Sequence, residues 1–273
     1  MPSRAEPSHG SGELAFERVG AATVLRTARA SSPLRLLTPR NHGHAAWVFA
    51  ATFGGGLVDG DTIQLDLTLA PGSTGLLGTQ ASTKVYRCLE GACRQELDAS
   101  IGADALLVLV PDPVVCFAEA RYEQTIAVEL APQASLVLVD TFTAGRSARG
   151  ERWQFARYAS RLGVTRGGAP LVHDAVLLDP AHGEIAPRLG RFEAIATILL
   201  FGPRARALRE AAIARAPAPA RAAAIVEAVS PIGDDGALIR VAGASVEAVT
   251  TAVRAYLAGL GALLGDDPFA RKW

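Results

Sequence analysis

Thr62-Ile63-Gln64-Leu65-Asp66-Leu67-Thr68-Leu69 alternates apolar and polar residues without a break. A strand places successive side chains on opposite faces, so period two predicts a β-strand with one face buried and one wet. Pro71-Gly72 supplies a turn, and Gly75 to Thr79 starts the next strand. The same grammar runs outward in both directions. Ala105 to Val110 is a continuous apolar run closed by Pro111-Asp112-Pro113, as expected of a fully buried strand ending in a rigid turn. Tyr122 to Leu130, Ala131-Pro132-Gln133 and Ser135 to Asp140 read as a hairpin. Trp153 to Val164 and Leu171 to Leu178 continue the series, and no internal repeat stands out. The expected fold is mainly β: a large antiparallel multi-strand β domain with α-helices near the C-terminus. Residues 1–12, small and polar, read as a flexible tail, and 13–273 as a single domain.

The last quarter changes character. Pro203 and the Ala/Arg/Leu-rich run from Ala205 to Arg215 predict a helix, broken at Ala216-Pro217-Ala218-Pro219 and resumed over Ala222 to Val229. Gly233 to Gly236 is a turn and Ala237 to Val241 a short strand. Ser245 is placed to cap a helix whose apolar positions, Val246 to Leu264, follow helical spacing.

Composition narrows the function. The 273 residues carry 27 basic and 27 acidic side chains, so nothing favours a nucleic-acid binder. Zero net charge with a mean hydropathy of +0.23 predicts poor solubility alone and hints at a large partner-covered surface. Lysine occurs only at Lys84 and Lys272, and neither follows a glycine, which excludes a Walker A nucleotide site. No apolar run reaches the roughly 18–20 residues that span a bilayer, and no secretory signal opens the chain, so a cytoplasmic location is expected. Cys88, Cys93 and Cys116 are too few for a disulfide scaffold and lack zinc-finger spacing, so buried thiols are expected.

Four stretches concentrate chemistry. Gly54-Gly55-Gly56-Leu57-Val58-Asp59-Gly60-Asp61 permits positive φ and close backbone approach; it reads as a tight bend, with Asp59 and Asp61 able to meet a divalent cation. Thr79 to Tyr86 gathers hydroxyls with Gln80, Ser82, Thr83 and Lys84, as either a lined surface or an edge strand with a gatekeeper lysine. Asp112 sits in its two-proline turn. Asp140 ends an apolar strand, so it is expected partly buried, with Arg146 or Arg149 as its partner. Ser147 lacks the glycine of a nucleophile elbow. His173-Asp174 reads as an acid–base pair or a turn dipeptide, and His42-Gly43-His44 as exposed loop histidines ahead of a transition-metal pair, since no third ligand lies nearby in sequence.

Taken together and in order, GGGLVDGD (54–61), TQASTKVYR (79–87), PDPVVCFAEARYEQ (111–124) and DTFTAGRSARGERWQF (140–155) resemble the urease accessory protein family UreD, also called UreH. The ending Pro268 to Trp273 is similar to the family's basic, Trp-containing tail. The resemblance implies a mainly β fold and a non-enzymatic chaperone. It implies partners: the helical accessory protein UreF, the GTPase UreG and the structural subunits of apo-urease, with dimer formation inside that complex left open. No nucleotide, nucleic acid or membrane partner is implied for this chain. Nickel would be bound weakly and transiently along a water-filled passage. Carried over by motif, Asp61 and Asp140 would line it, with Asp59 beside them. Gly54, Gly55, Gly56, Gln80, Ser82, Thr83, Lys84 and Asp112 are passage or partner-contact candidates, and Arg146 and Arg149 would brace the acidic wall or meet a partner. Asp61→Ala and Asp140→Ala are expected to lower urease activation without unfolding the chain. The alternatives are a hydrolase using Ser147 or His173 and a metal-independent β-rich interaction module.

Overall fold

Thr62–Leu69 forms the strand its alternation demands: Ile63, Leu65, Leu67 and Leu69 are buried, and Gln64, Asp66 and Thr68 are exposed. The computed structural model describes residues 8–215 and 223–270. The chain begins with β1 (His9–Val19), β2 (Ala22–Ala30), β3 (Leu34–Leu37), β4 (Ala46–Thr52), β5 (Thr62–Leu69) and β6 (Thr74–Thr79). It continues with β7 (Thr83–Val85), β8 (Cys93–Ile101), β9 (Leu106–Val110), β10 (Val114–Cys116), β11 (Arg121–Leu130) and β12 (Ser135–Thr143). Next come β13 (Arg157–Arg166), β14 (Ala169–Leu178), α1 (Ile185–Leu189), β15 (Ala194–Phe201) and α2 (Arg206–Arg215). The last elements are β16 (Ile225–Ile232), β17 (Gly236–Gly243), α3 (Val246–Tyr256) and α4 (Leu260–Leu264).

Two sheets form. The first runs β14-β13-β11-β8-β5-β1-β2; the second runs β16-β17-β15-β12-β9-β6-β4-β3, with β10 and β7 attached at the end of β12. The mainly β expectation is met. Its antiparallel part is corrected: β1, β5, β8, β11 and β13 pair in parallel, as do β4, β6, β9 and β12. Antiparallel pairs lie towards the ends of each sheet. The expected hairpin of β11 and β12 is also absent, because the two strands belong to different sheets.

The cause is a repeated arch. Each of β5, β8 and β11 leaves the first sheet through a short turn and enters the second as β6, β9 and β12. The third residue of each turn, Gly72, Asp104 and Gln133, is left-handed, with φ of 70°, 58° and 61°. The arches stack through Gly102 N–H on Leu69 O at 2.8 Å and Ala131 N–H on Ile101 O at 2.9 Å. Leu69-Ala70-Pro71-Gly72-Ser73-Thr74, Ile101 to Leu106 and Leu130 to Ser135 are thus equivalent segments. This is an internal repeat that the sequence reading passed over. Its residues are held in common by geometry more than by identity.

β9 explains itself in this frame. Leu107 and Leu109 enter the core between the sheets, while Leu106, Val108 and Val110 enter a second core. That second core lies under the C-terminal helices and takes Leu208, Val249, Tyr256 and Leu260. A parallel strand covered on both faces reads as an unbroken apolar run.

Three boundaries differ from expectation. The strand β1 starts at His9, so 9–12 are not tail: they pair in parallel with Thr62 to Leu65. Residues 1–7, the break at 216–219 and Arg271 to Trp273 lie outside the described residues. Of the helix expected over Ala222 to Val229, Ala222 lies outside the described residues, and Ile225 to Val229 belong instead to strand β16, where pairing with β17 outweighs the weak local preference for helix. Ser245 does cap α3, its hydroxyl accepting Ala248 N–H at 3.1 Å, but the helix stops at Tyr256 and restarts as α4.

Candidate functional site

Along β12, Leu136, Leu138 and Phe142 point between the sheets, so alternation sends Asp140 there too. It faces a rung of the first sheet in which three of the four central residues are polar. Ile63, Gln95, Gln124 and Ser160 are register neighbours across β5, β8, β11 and β13. Gln124 Nε2 donates to Asp140 Oδ1 at 3.1 Å, and Ser160 Oγ donates to Oδ2 at 3.2 Å. The next rung holds Tyr122 and Tyr158. The Tyr122 hydroxyl donates to Gln95 Oε1 at 2.6 Å and lies 2.9 Å from Gln124 Oε1. Tyr158 stacks between Phe142 and Tyr122.

Among the described residues, no guanidinium contacts Asp140. The expected partner Arg146 instead pairs with Glu151 and stacks on Phe117, and Arg149 is exposed. Burial raises the Asp140 carboxyl above its usual range, against the lowering effect of Gln124 and Ser160; Asp174 adds to the rise and Arg240 opposes it. The side chain still keeps some accessible surface, because it borders a cavity rather than solid packing.

That cavity, about 100 Å³, is lined by Asp140, Gln124, Gln95, Thr79, Thr83 and Asp112 among apolar neighbours. Such a space is large enough for several waters, which need at least ~10–15 Å³ each and polar partners. A second cavity of about 130 Å³ shares Thr79, Thr83, Gln95 and Ile63 with it and reaches Gly55, Gln80 and Ser82. A third, about 60 Å³, shares Asp112 and Thr141 and extends to α3 and Phe269. The three recesses form a chain from the glycine bend, past Asp140, to the C-terminal helix. Asp112 is the hinge between two of them, held by Thr79 Oγ1 at 2.9 Å.

The glycine bend is built as a bend. Gly54 and Gly55 are left-handed at φ 78° and 76°. A Cβ on Gly56 would sit 2.6 Å from Tyr86 Cε2 and 2.7 Å from Lys84 O. Asp59 and Asp61 serve this backbone. Asp61 is 2% exposed; Oδ1 accepts the Ser8 N–H and hydroxyl at 3.0 and 2.9 Å, and Oδ2 accepts Val58 N–H at 2.9 Å. Asp59 accepts the N–H groups of Leu89, Glu90 and Gly91 at 3.0, 3.1 and 2.8 Å. Neither is among the residues lining the three cavities. Lys84 is exposed on β7.

The remaining candidates separate. Ser147 lies in a short 3-10 turn with no histidine bonded to it among the described residues. His173 is exposed, and its neighbour Asp174 turns to the opposite face and pairs with Arg240 at 2.6 Å. His42 and His44 sit in a loop on the end of α4, with Asp266 accepting His42 N–H at 2.9 Å. The three thiols are buried and unbridged; Cys88 and Cys93 lie 3.7 Å apart. Among the described residues, no group of three or more His, Cys, Asp or Glu side chains is arranged to hold a metal ion. No described helix is long and apolar enough to cross a membrane.

The sequence reading missed Gln95, Gln124, Ser160 and the two tyrosines. The available signal was glutamine and serine at inward positions of alternating strands.

Residues 8–273 match the family model described as UreD urease accessory protein. This chain belongs to the UreD family. A urease accessory protein UreD of Sorangium cellulosum is 58% identical over 264 residues, 97% of this chain and 84% of that one. One from Anaeromyxobacter sp. is 44% identical, over 96% of this chain and 89% of its own. Urease accessory protein D of Oryza sativa subsp. japonica is 33% identical, over 98% and 97%. Membership in this family supports a role in urease maturation.

Proposed function

We propose that the chain is a non-catalytic, cytoplasmic scaffold that docks the helical accessory protein UreF and the GTPase UreG on apo-urease, and passes nickel towards the urease active site. Asp140 carries the reading: a carboxylate with no cationic partner in contact among the described residues, opening on a cavity between the two sheets. Leaving a charge there costs stability, and a transient divalent cation would offset the cost. The donor set suits transport. One carboxylate with amide and hydroxyl oxygens holds Ni²⁺ loosely, whereas thiolate or multiple imidazole ligands would retain it. The thiols are not among the residues lining the three cavities. In this reading Asp140 and Asp112 mark the route, Gln80, Ser82 and Thr83 line its mouth near the glycine bend, and Asp59 and Asp61 keep that mouth in shape. The test is co-expression with the urease subunits, UreF and UreG, capture through a tag on this chain, and metal analysis of the urease formed. The expected result is recovery of urease and both accessory proteins, with nickel-loaded enzyme. Failure to recover urease under conditions where the chain is folded would overturn the scaffold role.

A further inference from the structure

On the side of the molecule away from the glycine bend, the β1–β2 hairpin, the first arch and the residues before α2 enclose a cavity of about 320 Å³. Arg18, Arg204, His44, Thr23, Thr74 and Asp104 line it. Its electrostatics are unbalanced. The Arg204 guanidinium is half-buried and has no hydrogen-bond or ion-pair partner among the described residues, although its backbone N–H is held by Ser135 Oγ at 3.0 Å. Burial and the neighbouring Arg18 both push Arg204 below the usual guanidinium range. Arg18 donates through Nε to Gly20 O at 3.1 Å. Its side chain also lies over Gly72, where an added Cβ would stand 3.4 Å from Arg18 Cδ and 3.7 Å from Nη1. Asp104, exposed at the rim, makes no ion pair with either arginine among the described residues.

Two like charges converging on one recess, one of them half-buried, with a single carboxylate that pairs with neither, are an unexplained cost unless a further negative group enters. We propose that this cavity binds a small oxyanion, clasped by Arg18 and Arg204. Guanidinium forks match the oxygen spacing of such anions and bind them through paired, charge-assisted hydrogen bonds. The Thr23 hydroxyl is set to add a donor: its oxygen accepts Thr74 N–H at 2.8 Å, leaving its own proton to point at a ligand. With two arginines against one carboxylate, a single anion brings the recess near neutrality. The site is separate from the Asp140 cavities, and this inference does not depend on nickel passage.

The test is calorimetric titration of the full chain with inorganic phosphate and, separately, with bicarbonate, at constant ionic strength maintained with chloride. Saturable binding of either anion is expected; preference for phosphate assigns a tetrahedral ligand and preference for bicarbonate a planar one. Arg204→Gln and Arg18→Gln should each weaken it by about tenfold or more. Arg206→Gln, an exposed arginine outside the recess that pairs with Glu210, should bind as wild type. Arg18 is exposed, so its variant is informative even if the Arg204 variant folds poorly. No saturable binding of either anion by the wild type, or undiminished binding by the Arg18 variant, would overturn the proposal.

Discussion

At the scale of single residues, Asp140 and Asp61 are both buried carboxylates with opposite energetics. Asp61 meets three protein donors and fastens the chain before β1 to the bend before β5. Asp61→Ala would strand those donors, and a loss of about 2 kcal/mol or more is expected in denaturant unfolding. The variant is thus expected to stay folded at reduced stability, as well as to lower urease activation. Asp140 has a raised carboxyl pKa, so the folded state holds its proton more tightly than the unfolded chain does. Stability then falls as pH rises from the usual carboxylate value of 3.8, because the native state binds more protons over that interval. Asp140→Asn should match wild type below about pH 4 and be the more stable at neutral pH. Parallel thermal melts across pH check this; a variant less stable at pH 7 contradicts it. The burial of Asp140 was legible in the apolar run before it. Its partners were not. Arg146 and Arg149 are near in sequence, but Gln124 and Ser160 reach Asp140 from the opposite sheet, and only the register between strands brings them there.

At the scale of elements, the arches are the lesson. Ala131-Pro132-Gln133 between two apolar strands fits a hairpin and an arch equally well, because a turn signal fixes where the chain bends and not which sheet it rejoins. The discriminating sign was Leu106 to Val110: apolar residues on both faces suit a buried parallel strand better than an antiparallel sheet with a wet side. Gln133 occupies a left-handed position that Gly72 fills in the first arch. Gln133→Gly should therefore gain up to about 1 kcal/mol, the left-handed strain relieved less the added chain entropy. A higher urea midpoint at unchanged slope is the readout. Gly56→Ala should do the reverse. Its Cβ would overlap Tyr86 and the Lys84 carbonyl, at a cost of about 1–3 kcal/mol for overpacking.

At the scale of the whole molecule, two sheets and a covering layer of helices leave a chain of recesses in which a few polar side chains stand among apolar ones. The ordered motifs in the sequence pointed to the family, because each marks a place where backbone geometry or a buried polar group constrains residue choice. They did not separate residues that shape the glycine bend from residues that line the recesses; that distinction needed the hydrogen bonds of Asp59 and Asp61. The proposed function has this protein conduct nickel past Asp140 without performing chemistry itself. Its most direct test is the nickel content of urease matured in cells whose only copy of this chain carries Asp140→Asn, with capture of the partners measured alongside. The account predicts intact capture of UreF, UreG and urease, with nickel per active site reduced several-fold. Urease carrying its full nickel complement would contradict it.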